Sequence, residues 1–355
     1  MRIAQLISRK SCDSGGSLQA LLLAASLKEM GEDVVFVSKG KGCAERAARF
    51  GVRHFSVPMK GYLDWRSLIR LGGFVRKEGV DVAHAHKGLA LWFSLVCAAV
   101  FRPEMKVFAN RGVSFPLGYW GSLKYRHPLV KGIICVAYAV KNQMARAWVS
   151  PERLKVVYGS VNPKFFSRIS QFRARKRFGL DSRNVVFALV GNFRPWKGHL
   201  LMAEAVSSLL AKRKDVFCLF AGKEKRSILD GLKRYLGGSF ASLGYREDAE
   251  YVIAASDVLV NASTEGEGLP GVVREAMAVG RAVVATDVAG NKEVVRNGKT
   301  GVVVSPSVSE IFSAVKLLAE QPMLRKKLGA TGRRVALSFS SARRAEAVRR
   351  LYESG

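Results

Sequence analysis

The segment Asp257–Val288, DVLVNASTEGEGLPGVVREAMAVGRAVVATDV, contains two short apolar stretches joined by a helical pattern. DVLVNAS (257–263) and AVVATDV (282–288) predict buried strands, and the spacing of apolar residues between them predicts a helix. A strand, a helix and a second strand in this order indicate a parallel sheet covered by helices. The segment therefore places the chain in the α/β class.

Both halves of the chain begin with this same strand–helix–strand plan. The predicted elements are, in chain order, strand 3–7, helix 17–30, strand 34–37, then strand 185–190, helix 199–211 and strand 216–220. Further strands are predicted within 81–86, 106–112 and 132–138. The economical architecture is α/β with two Rossmann-like, doubly wound domains that face each other across a cleft. We expect the domains at 1–163 and 164–338, with a C-terminal helix at 339–355 that returns toward the first domain.

Charge is the unusual feature of the composition. The chain has 58 Lys and Arg against 28 Asp and Glu, a formal net charge of +30. Residues 1–163 hold 25 basic and 10 acidic side chains, and residues 164–355 hold 33 and 18. The excess is thus spread over both halves and favours anionic partners such as phosphate-bearing substrates or an anionic membrane surface. No recognised nucleic-acid motif is present, so nucleic acid is not an expected partner.

Cysteine usage and apolar segments indicate a cytoplasmic location. The five cysteines are odd in number and widely spaced, which favours reduced thiols over a disulfide framework. The N-terminus MRIAQLIS lacks the features of a signal peptide. The most apolar segment, Leu89–Phe101, has 13 residues, whereas a membrane span needs about 20. We therefore predict that this segment is a buried helix.

Two loops that follow predicted strands have the composition of phosphate-binding loops. Gly15 and Gly16 precede a predicted helix and would let a ligand approach the backbone closely, although a plain tight turn is the alternative. The loop Gly191–Gly198, GNFRPWKG, offers Arg194 and Lys197 beside the start of the next helix. Two fixed cations could oppose a diphosphate, unless the loop is merely solvated.

Carboxylates occur on both sides of the turn that begins the helix of the 257–288 segment. Glu267 precedes Gly268-Leu269-Pro270, which reads as a helix entry with proline in the first turn, and Glu275 is placed about two turns in. Carboxylates accept hydrogen bonds from paired hydroxyls, such as those of a sugar or ribose. The alternative is that Glu267 only complements the helix dipole.

These motifs resemble the retaining glycosyltransferases of family 4, which have the GT-B fold. The resemblance is carried by Glu267-x7-Glu275, by the following EAMAVGRAVVATDVAGNKEVV and by LGYREDAEYVIAASDVLVNAS, and it covers nearly the whole chain. It implies transfer of a sugar from a nucleotide sugar, with a UDP-sugar favoured, to a glycan or lipid-linked acceptor that can be phosphorylated. Bacterial cell-envelope synthesis, such as that of lipopolysaccharide core or a related glycolipid, is the expected setting. The enzyme would lie on the inner face of the cell membrane.

The same resemblance implies roles for individual residues. Glu267 would bind donor-sugar hydroxyls, Glu275 the ribose and Lys197 the diphosphate. Backbone amides around Gly268 and Leu269 would hold sugar and phosphate, Gly15 and Gly16 would approach the diphosphate, and Tyr245 would flank the base. Two positions depart from the family pattern. Asn192 occupies the place of a usual arginine, so we expect Arg194 to supply that charge. Asn110-Arg111-Gly112 replaces a usual His-Gly pair, so Arg111 is a candidate for binding the donor or an acidic acceptor.

Metal binding is not expected from the sequence. His84 and His86 resemble a zinc pair, but we expect them to point to opposite faces of a strand end, one of them packed, and no third ligand is evident. The chain also has no Asp-x-Asp, the pattern of metal-dependent glycosyltransferases with the other common fold. The resemblance therefore implies a metal-independent reaction without a cofactor.

An aromatic and basic segment, Phe115–Arg126, could rest against lipid headgroups or form a packed loop. Two other functions remain open. A sugar-nucleotide epimerase or a phosphorylase of the GT-B fold would use the same donor site with another acceptor or none. A protein without catalysis would bind an anionic surface or nucleic acid through its charge.

Overall fold

The computed structural model describes residues 1–166 and 169–355, which form two compact units. The first unit contains residues 1–160 and 341–355, and the second contains residues 161–340. Each unit is built around one sheet whose described strands pair in parallel. Both faces of such a sheet are covered by helices, which is why the strands read as nearly continuous apolar runs.

The first sheet has seven strands in the order β3-β2-β1-β4-β5-β6-β7. Its strands are β1 (Arg2–Ile7), β2 (Asp33–Ser38), β3 (Arg53–Ser56), β4 (Val82–Ala85), β5 (Lys106–Arg111), β6 (Val130–Cys135) and β7 (Leu154–Val156). Its connecting helices are α1 (Gly15–Glu29), α2 (Lys41–Arg49), α3 (Trp65–Lys77), α4 (Gly88–Val100), α5 (Tyr119–Arg126) and α6 (Tyr138–Arg146). The chain order reverses between β1 and β4, which makes their carboxyl ends the topological switch point of this sheet.

The second sheet has six strands in the order β10-β9-β8-β11-β12-β13. Its strands are β8 (Val185–Val190), β9 (Val216–Ala221), β10 (Phe240–Ser242), β11 (Val258–Asn261), β12 (Ala282–Thr286) and β13 (Val302–Val304). Its helices are α7 (Gln171–Arg177), α8 (His199–Leu210), α9 (Arg226–Leu236), α10 (Ala249–Ala255), α11 (Gly271–Val279), α12 (Asn291–Val294), α13 (Val308–Glu320) and α14 (Pro322–Ala336). Here the switch point lies between β8 and β11.

The last helix, α15 (Ser341–Ser354), packs into the first unit. Its Ala345, Val348 and Tyr352 are fully buried in the core formed by β1, β2 and α1. The Tyr352 hydroxyl accepts a hydrogen bond from Gln5 on β1 at 3.0 Å and lies 2.6 Å from Nδ1 of His84. The predicted apolar helix of the first unit is also confirmed as α4, most of whose side chains are buried.

The prediction that His84 and His86 point to opposite faces is wrong. Their rings lie 4.4 Å apart, both are buried, and His86 Nε2 is 2.6 Å from Oε1 of Gln5. Residues i and i+2 of an extended chain share one face, which is the physical reason. Burial lowers the pKa of His84 to about 3, so its ring is neutral. Within the described ranges, no group of three or more metal-ligating side chains converges on a metal site.

The expectation of five reduced thiols is wrong for Cys12 and Cys43, which form a disulfide. Cys12 lies in the loop after β1 and Cys43 on the helix after β2, and their Cα atoms are 5.0 Å apart. Because β1 and β2 are paired, the segments that follow them come together, which spacing along the chain does not reveal. Cys97, Cys135 and Cys218 are free and buried.

Candidate functional site

Two loops meet at the switch point of the second sheet. The loop 191–198 follows β8 and the loop 262–270 follows β11, and the Thr264 amide donates to the Trp196 carbonyl at 2.8 Å. Gly198 has φ +72°, and a Cβ there would lie 1.9 Å from the carbonyl oxygen of Ala262. A side chain at 198 would therefore force the loops apart, so glycine is what permits their contact.

The contact between the loops brings Lys197 and Glu267 together. Lys197 Nζ lies 2.5 Å from Glu267 Oε1, and the Ser263 hydroxyl donates to the same oxygen at 2.6 Å. Glu267 is only 6% exposed, and the Lys197 ammonium sits 4.4 Å from the centroid of the Trp196 ring. No donor to Oε2 occurs among the described contacts, so this oxygen is available to a ligand hydroxyl.

A buried polar network holds Ser263 in place. Thr286, the last residue of β12, donates from its hydroxyl to the Ser263 carbonyl at 2.6 Å. Asn291 Nδ2 donates to the Thr286 carbonyl at 2.8 Å and to Oδ1 of Asn261 at 3.3 Å. Local patterns did not predict roles for Ser263, Thr286 and Asn291, since only the pairing of β11 with β12 brings them side by side. The polar residue at the end of each of these strands was the sequence feature from which this network could have been predicted.

Arg194 and Asn192 serve different purposes in the 191–198 loop. Asn192 Oδ1 accepts a hydrogen bond from the Lys223 amide at 3.0 Å and so ties this loop to the one after β9. The Arg194 side chain is exposed and makes neither an ion pair nor a hydrogen bond to another described residue. It lines a pocket of about 380 Å³ whose walls also include Lys225 and Thr264. The guanidinium group of Arg194 is therefore available to bind an anionic ligand.

Tyr245 lies just past the carboxyl end of β10, after Gly244 with φ +62°. Its ring is partly exposed, and Lys223 Nζ lies 5.5 Å from the ring centroid. The Gly222 amide donates to the Gly244 carbonyl at 2.8 Å, which joins the segments that follow β9 and β10. The ring thus presents a flat surface on which a planar group could stack.

The helix entry differs from the prediction. Helix α11 begins at Gly271 with Pro270 as its N-cap, so proline precedes the first turn and Glu275 lies little more than one turn in. Gly268 and Leu269 are buried just before the helix. No described side chain caps this helix, which leaves the first amides of α11 for a ligand.

Glu275 has an unusual environment for a carboxylate. Its carboxyl group makes no hydrogen bond to any residue that the structure describes. Burial raises its pKa to about 7, while the charges of Arg274 and Lys164 act in the opposite direction. A carboxyl group with this pKa changes charge near neutral pH, which is a common property of functional sites.

In the first unit, Gly15 and Gly16 are the first two residues of α1 and do not form the turn before it. The Ser14 hydroxyl caps the helix by accepting a hydrogen bond from the Ser17 amide at 3.3 Å. A Cβ on Gly16 would lie 3.8 Å from Lys87 Nζ. Arg111 ends β5 and donates to the Phe115 carbonyl at 2.7 Å. The structure thus places Lys87, which the sequence analysis did not single out, beside the glycine pair.

Two sequence families match successive parts of the chain. Residues 14–165 match the family described as Glycosyltransferase Family 4, and residues 184–321 match Glycosyl transferases group 1. The two matched ranges follow the two structural units closely and together cover most of the chain.

Individual proteins show the same relationship. EpsD of Bacillus subtilis strain 168, which carries a glycosyltransferase name, is 30% identical over 57% of this chain and 55% of its own length. An Escherichia coli enzyme named UDP-Gal:alpha-D-GlcNAc-diphosphoundecaprenol alpha-1,3-galactosyltransferase is 22% identical over 90% of this chain and 88% of its own. HepE of Anabaena, solved in complex with UDP and glucose, superposes over the whole of both chains with a TM-score of 0.88 at 16% identity. The structural likeness establishes the fold, which is that of the GT-B glycosyltransferases.

Proposed function

We propose that this chain, a glycosyltransferase of the group 1 and family 4 type, is a retaining enzyme that moves a sugar from a UDP-sugar to a glycan or lipid-linked acceptor. The observation that carries the proposal is the Lys197–Glu267 pair, an anion and a cation held side by side at the switch point of a doubly wound sheet. A nucleotide sugar presents both hydroxyls and phosphates. The Glu267 carboxylate can accept hydrogen bonds from the hydroxyls, and the Lys197 ammonium can bind the phosphates.

The proposed roles are those that the resemblance to family 4 implies. Oε2 of Glu267 accepts hydrogen bonds from sugar hydroxyls, while Lys197 turns from Glu267 toward the diphosphate. Arg194 adds a second cation from the exposed side of the same loop. Glu275 accepts the ribose hydroxyls, and Tyr245 flanks the base. The first amides of α11 lie at the positive end of a helix, where a phosphate is stabilised.

The reaction requires no protein nucleophile in this proposal. The acceptor hydroxyl attacks the anomeric carbon on the face from which the diphosphate leaves, so the configuration is retained. A departing phosphate oxygen takes the acceptor proton, and Lys197 and Arg194 stabilise the charge that develops on the leaving group. Cationic side chains in these roles would make the transfer metal-independent. The absence of Asp-x-Asp from the sequence agrees with this.

The acceptor is proposed to be a membrane-bound glycan or glycolipid of the bacterial cell envelope, such as lipopolysaccharide core. The Escherichia coli relative is named for a diphosphoundecaprenol-linked acceptor, which motivates the lipid-linked class. Among the described helices, none combines the length and apolarity that crossing a membrane requires. We therefore propose peripheral association with the inner face of the cell membrane, from the cytoplasm.

An aromatic surface on the first unit supports this association; we define it as Tyr62, Leu63, Trp92, Tyr119 and Trp120. Leu63 is 92% exposed and Trp120 is 82% exposed, so both side chains are available to a membrane surface. The Trp92 indole donates to the Tyr62 carbonyl at 3.1 Å, and the Tyr119 and Trp120 rings lie 5.5 Å apart. Lys124 reaches Tyr62 from the same helix as Trp120 and adds positive charge. Aromatic rings and cations together suit an anionic headgroup region.

Cosedimentation with vesicles tests the membrane proposal. We expect binding to vesicles that contain an anionic lipid and weaker binding to neutral ones. The double variant Leu63→Ala/Trp120→Ala should lose most of it. Met323→Ala, which alters an apolar side chain that is 72% exposed in the second unit, is the matched control. Equal binding by both variants would contradict the proposal.

The donor site is tested by thermal shift with UDP-, GDP-, ADP- and CMP-sugars, with Glu275→Ala in parallel. One nucleotide class should raise the Tm of the wild-type chain, and the variant should lose that shift. Product analysis with and without acceptor then separates the alternatives. Conversion of donor alone would indicate an epimerase, and dependence on inorganic phosphate would indicate a phosphorylase. Salt-sensitive binding to anionic surfaces with no nucleotide response would favour the non-catalytic alternative.

A further inference from the structure

A pocket at the carboxyl edge of the second sheet lies apart from the groups proposed to bind the donor. It has a volume of about 380 Å³ and lies between the first residues of α8 and α9. We name it the α8–α9 pocket and define it by Arg194, His199, Leu200, Lys225 and Ser227. Four side chains assigned to the donor are not among the described residues that line it, namely Lys197, Tyr245, Glu267 and Glu275.

The order of the strands explains this separation. The chain passes from β8 to β9 in one direction along the sheet and from β11 to β12 in the other. Because strand–helix–strand crossovers are right-handed, α8 and α9 cover the opposite face of the sheet from α11. The packing agrees, since α8 contacts α9 and α13, whereas α11 contacts α10 and α14. The α8–α9 pocket therefore belongs to the side of the sheet that does not carry Glu275.

The α8–α9 pocket is positively charged. The side chains of Arg194 and Lys225 are exposed and form neither an ion pair nor a hydrogen bond with the described part of the chain. No acidic side chain is among the described residues that line the pocket. Helix α8 begins after Gly198 and α9 after Lys225, and no described side chain caps either helix. Two cations and the positive ends of two helices together favour an anion such as phosphate.

The buried side chain of His199 indicates a second polar group on the ligand. His199 is 1% exposed, and its Nε2 lies 3.3 Å from the Gly191 carbonyl oxygen. Burial lowers the pKa of His199 to about 4, so its ring is neutral, and donation from Nε2 to Gly191 leaves Nδ1 as an acceptor. Nδ1 has no partner among the described residues, although buried polar atoms normally have one. A ligand hydroxyl would supply that partner.

The rest of the pocket wall is apolar. It consists of Pro195, Leu200, Leu201, Ile228 and Pro306. Inorganic phosphate alone would leave this wall in contact with water, whereas the carbon skeleton of an organic phosphate would cover it. The volume of the pocket is also that of a site for a small organic ligand.

We infer that the α8–α9 pocket is a second ligand site, which binds a phosphate ester of a polyol or sugar. Arg194 and Lys225 bind the phosphate, the apolar wall covers the carbon skeleton, and His199 accepts a hydrogen bond from a hydroxyl. The phosphate belongs either to a soluble ester or to the headgroup of a glycerophospholipid. Arg194 is shared with the proposed function, so the experiments leave it unchanged.

Calorimetry of the full chain with sn-glycerol 3-phosphate tests the site, at an ionic strength held constant with sodium chloride. We expect tighter binding of this ester than of inorganic phosphate. Lys225→Gln should weaken its binding about tenfold or more, since the change removes one charged hydrogen bond. Lys233→Gln removes the same charge from an exposed position in the last turn of α9 and should bind as the wild type does.

A second variant separates loss of the site from loss of the fold. Ser227→Glu places a negative charge in the pocket and in the first turn of α9, where an acidic side chain stabilises a helix. We expect its Tm to equal or exceed that of the wild type, while binding of glycerol 3-phosphate is lost. Ser338→Glu adds the same charge at an exposed position of the second unit and should retain binding.

Equal affinities of Lys225→Gln and Lys233→Gln for glycerol 3-phosphate would overturn the inference, and so would undiminished binding by Ser227→Glu. Saturation with UDP tests whether the site is separate from the donor site. We expect unchanged binding of glycerol 3-phosphate, whereas its exclusion by UDP would overturn the inference of a second site. A chain that binds no UDP but binds glycerol 3-phosphate through Lys225 would contradict the proposed function alone.

Cosedimentation with phosphatidylglycerol vesicles distinguishes the two sources of the phosphate. If Ser227→Glu binds these vesicles more weakly than Ser338→Glu does, the α8–α9 pocket takes the headgroup of a lipid. If the two variants bind vesicles equally while only Ser338→Glu binds glycerol 3-phosphate, the pocket takes a soluble ester.

Discussion

Glu267 and Glu275 belong to one short segment of the chain, yet the fold treats their carboxylates differently. Glu267 lies in the loop before α11, where Lys197 and Ser263 both meet its Oε1. Glu275 lies on α11 itself, its carboxyl group makes no hydrogen bond to a described residue, and burial raises the pKa of that group to about 7. The first carboxylate is paired with a cation and a hydroxyl of the protein, whereas the second has no such partner among the described residues.

The two environments differ because Glu267 lies in a loop that contacts another loop, whereas Glu275 lies on a helix. The loop carrying Glu267 is held against the loop after β8, so a cation from a distant part of the chain reaches it. On α11, the flanking Val273, Ala276 and Met277 are fully buried, and Glu275 is partly buried with them. Burial of a carboxyl group without a hydrogen-bond donor favours its protonated form. A hydroxyl of a bound ligand would supply the missing donor to Glu275. Four substitutions test this comparison.

The largest effect is expected from Glu267→Gln. The change removes a buried, paired anion and leaves Lys197 without its partner, a loss that typically costs about 2–5 kcal/mol, or roughly 30-fold to several thousandfold. We expect kcat/KM for sugar transfer to fall within that range. Glu265→Gln, an exposed acid in the same loop, should retain activity close to the wild type. An equal loss in both variants would mean that the loop, and not the paired carboxylate, matters.

Gly198→Ala tests whether the loop contact creates the Glu267 environment. The new Cβ would lie 1.9 Å from Ala262 O at a left-handed φ, so we expect a loss of about 2–4 kcal/mol in the free energy of unfolding. Gly191→Ala, in the same loop, meets only Lys197 Cδ at 3.9 Å and should cost less than about 1 kcal/mol. Urea unfolding of both variants measures the difference. Similar values for the two would show that the contact at 198 is easily displaced.

Glu275→Gln should change how stability depends on pH. The carboxyl group has a pKa of about 7 in the folded chain against a reference value of 4.5, so the folded state binds more protons between these pH values. Wild-type stability is then lost as pH rises from 4.5 through 7, by about 2–3 kcal/mol between pH 5 and pH 8. Glutamine cannot ionise, so the variant should gain stability relative to the wild type over this interval. Urea unfolding at both pH values measures it, and an unchanged difference would refute the raised pKa.

The smallest effect is expected from Ser263→Ala. It removes one of the two donors to Glu267 Oε1 but leaves Lys197 in place, so we expect a loss of about 1–2 kcal/mol in transition-state binding. That corresponds to roughly a fivefold to thirtyfold fall in kcat/KM. Thr264→Ala is the control at the neighbouring position. It removes a hydroxyl that lies 3.4 Å from the Trp196 carbonyl and does not contact Glu267. A larger fall in kcat/KM for Thr264→Ala than for Ser263→Ala would mean that the contact between the loops matters more than the hydrogen bond to Glu267.

Much of the fold and part of the site could be predicted from local patterns. Strand β8 has the bounds that its apolar run predicts, and α4 appears where a buried helix was expected. Glu267 and Lys197 were each identified from their loops, but their direct pairing was not. Local patterns also misplaced the start of α11 by putting Pro270 inside it, because a proline with φ near −65° suits both the N-cap and the first turn.

The amino-acid sequence by itself determined the α/β class, the order of strands and helices, and which loops follow strands. These are consequences of hydrophobic periodicity and turn chemistry, which act over a few residues. Only the tertiary structure decided that Cys12 meets Cys43, that His84 contacts Tyr352 and His86 contacts Gln5, and that Lys87 lies beside the glycine pair. Each of these contacts depends on which strands become neighbours in a sheet. That neighbourhood is set by packing over the whole unit and leaves no local trace in the chain.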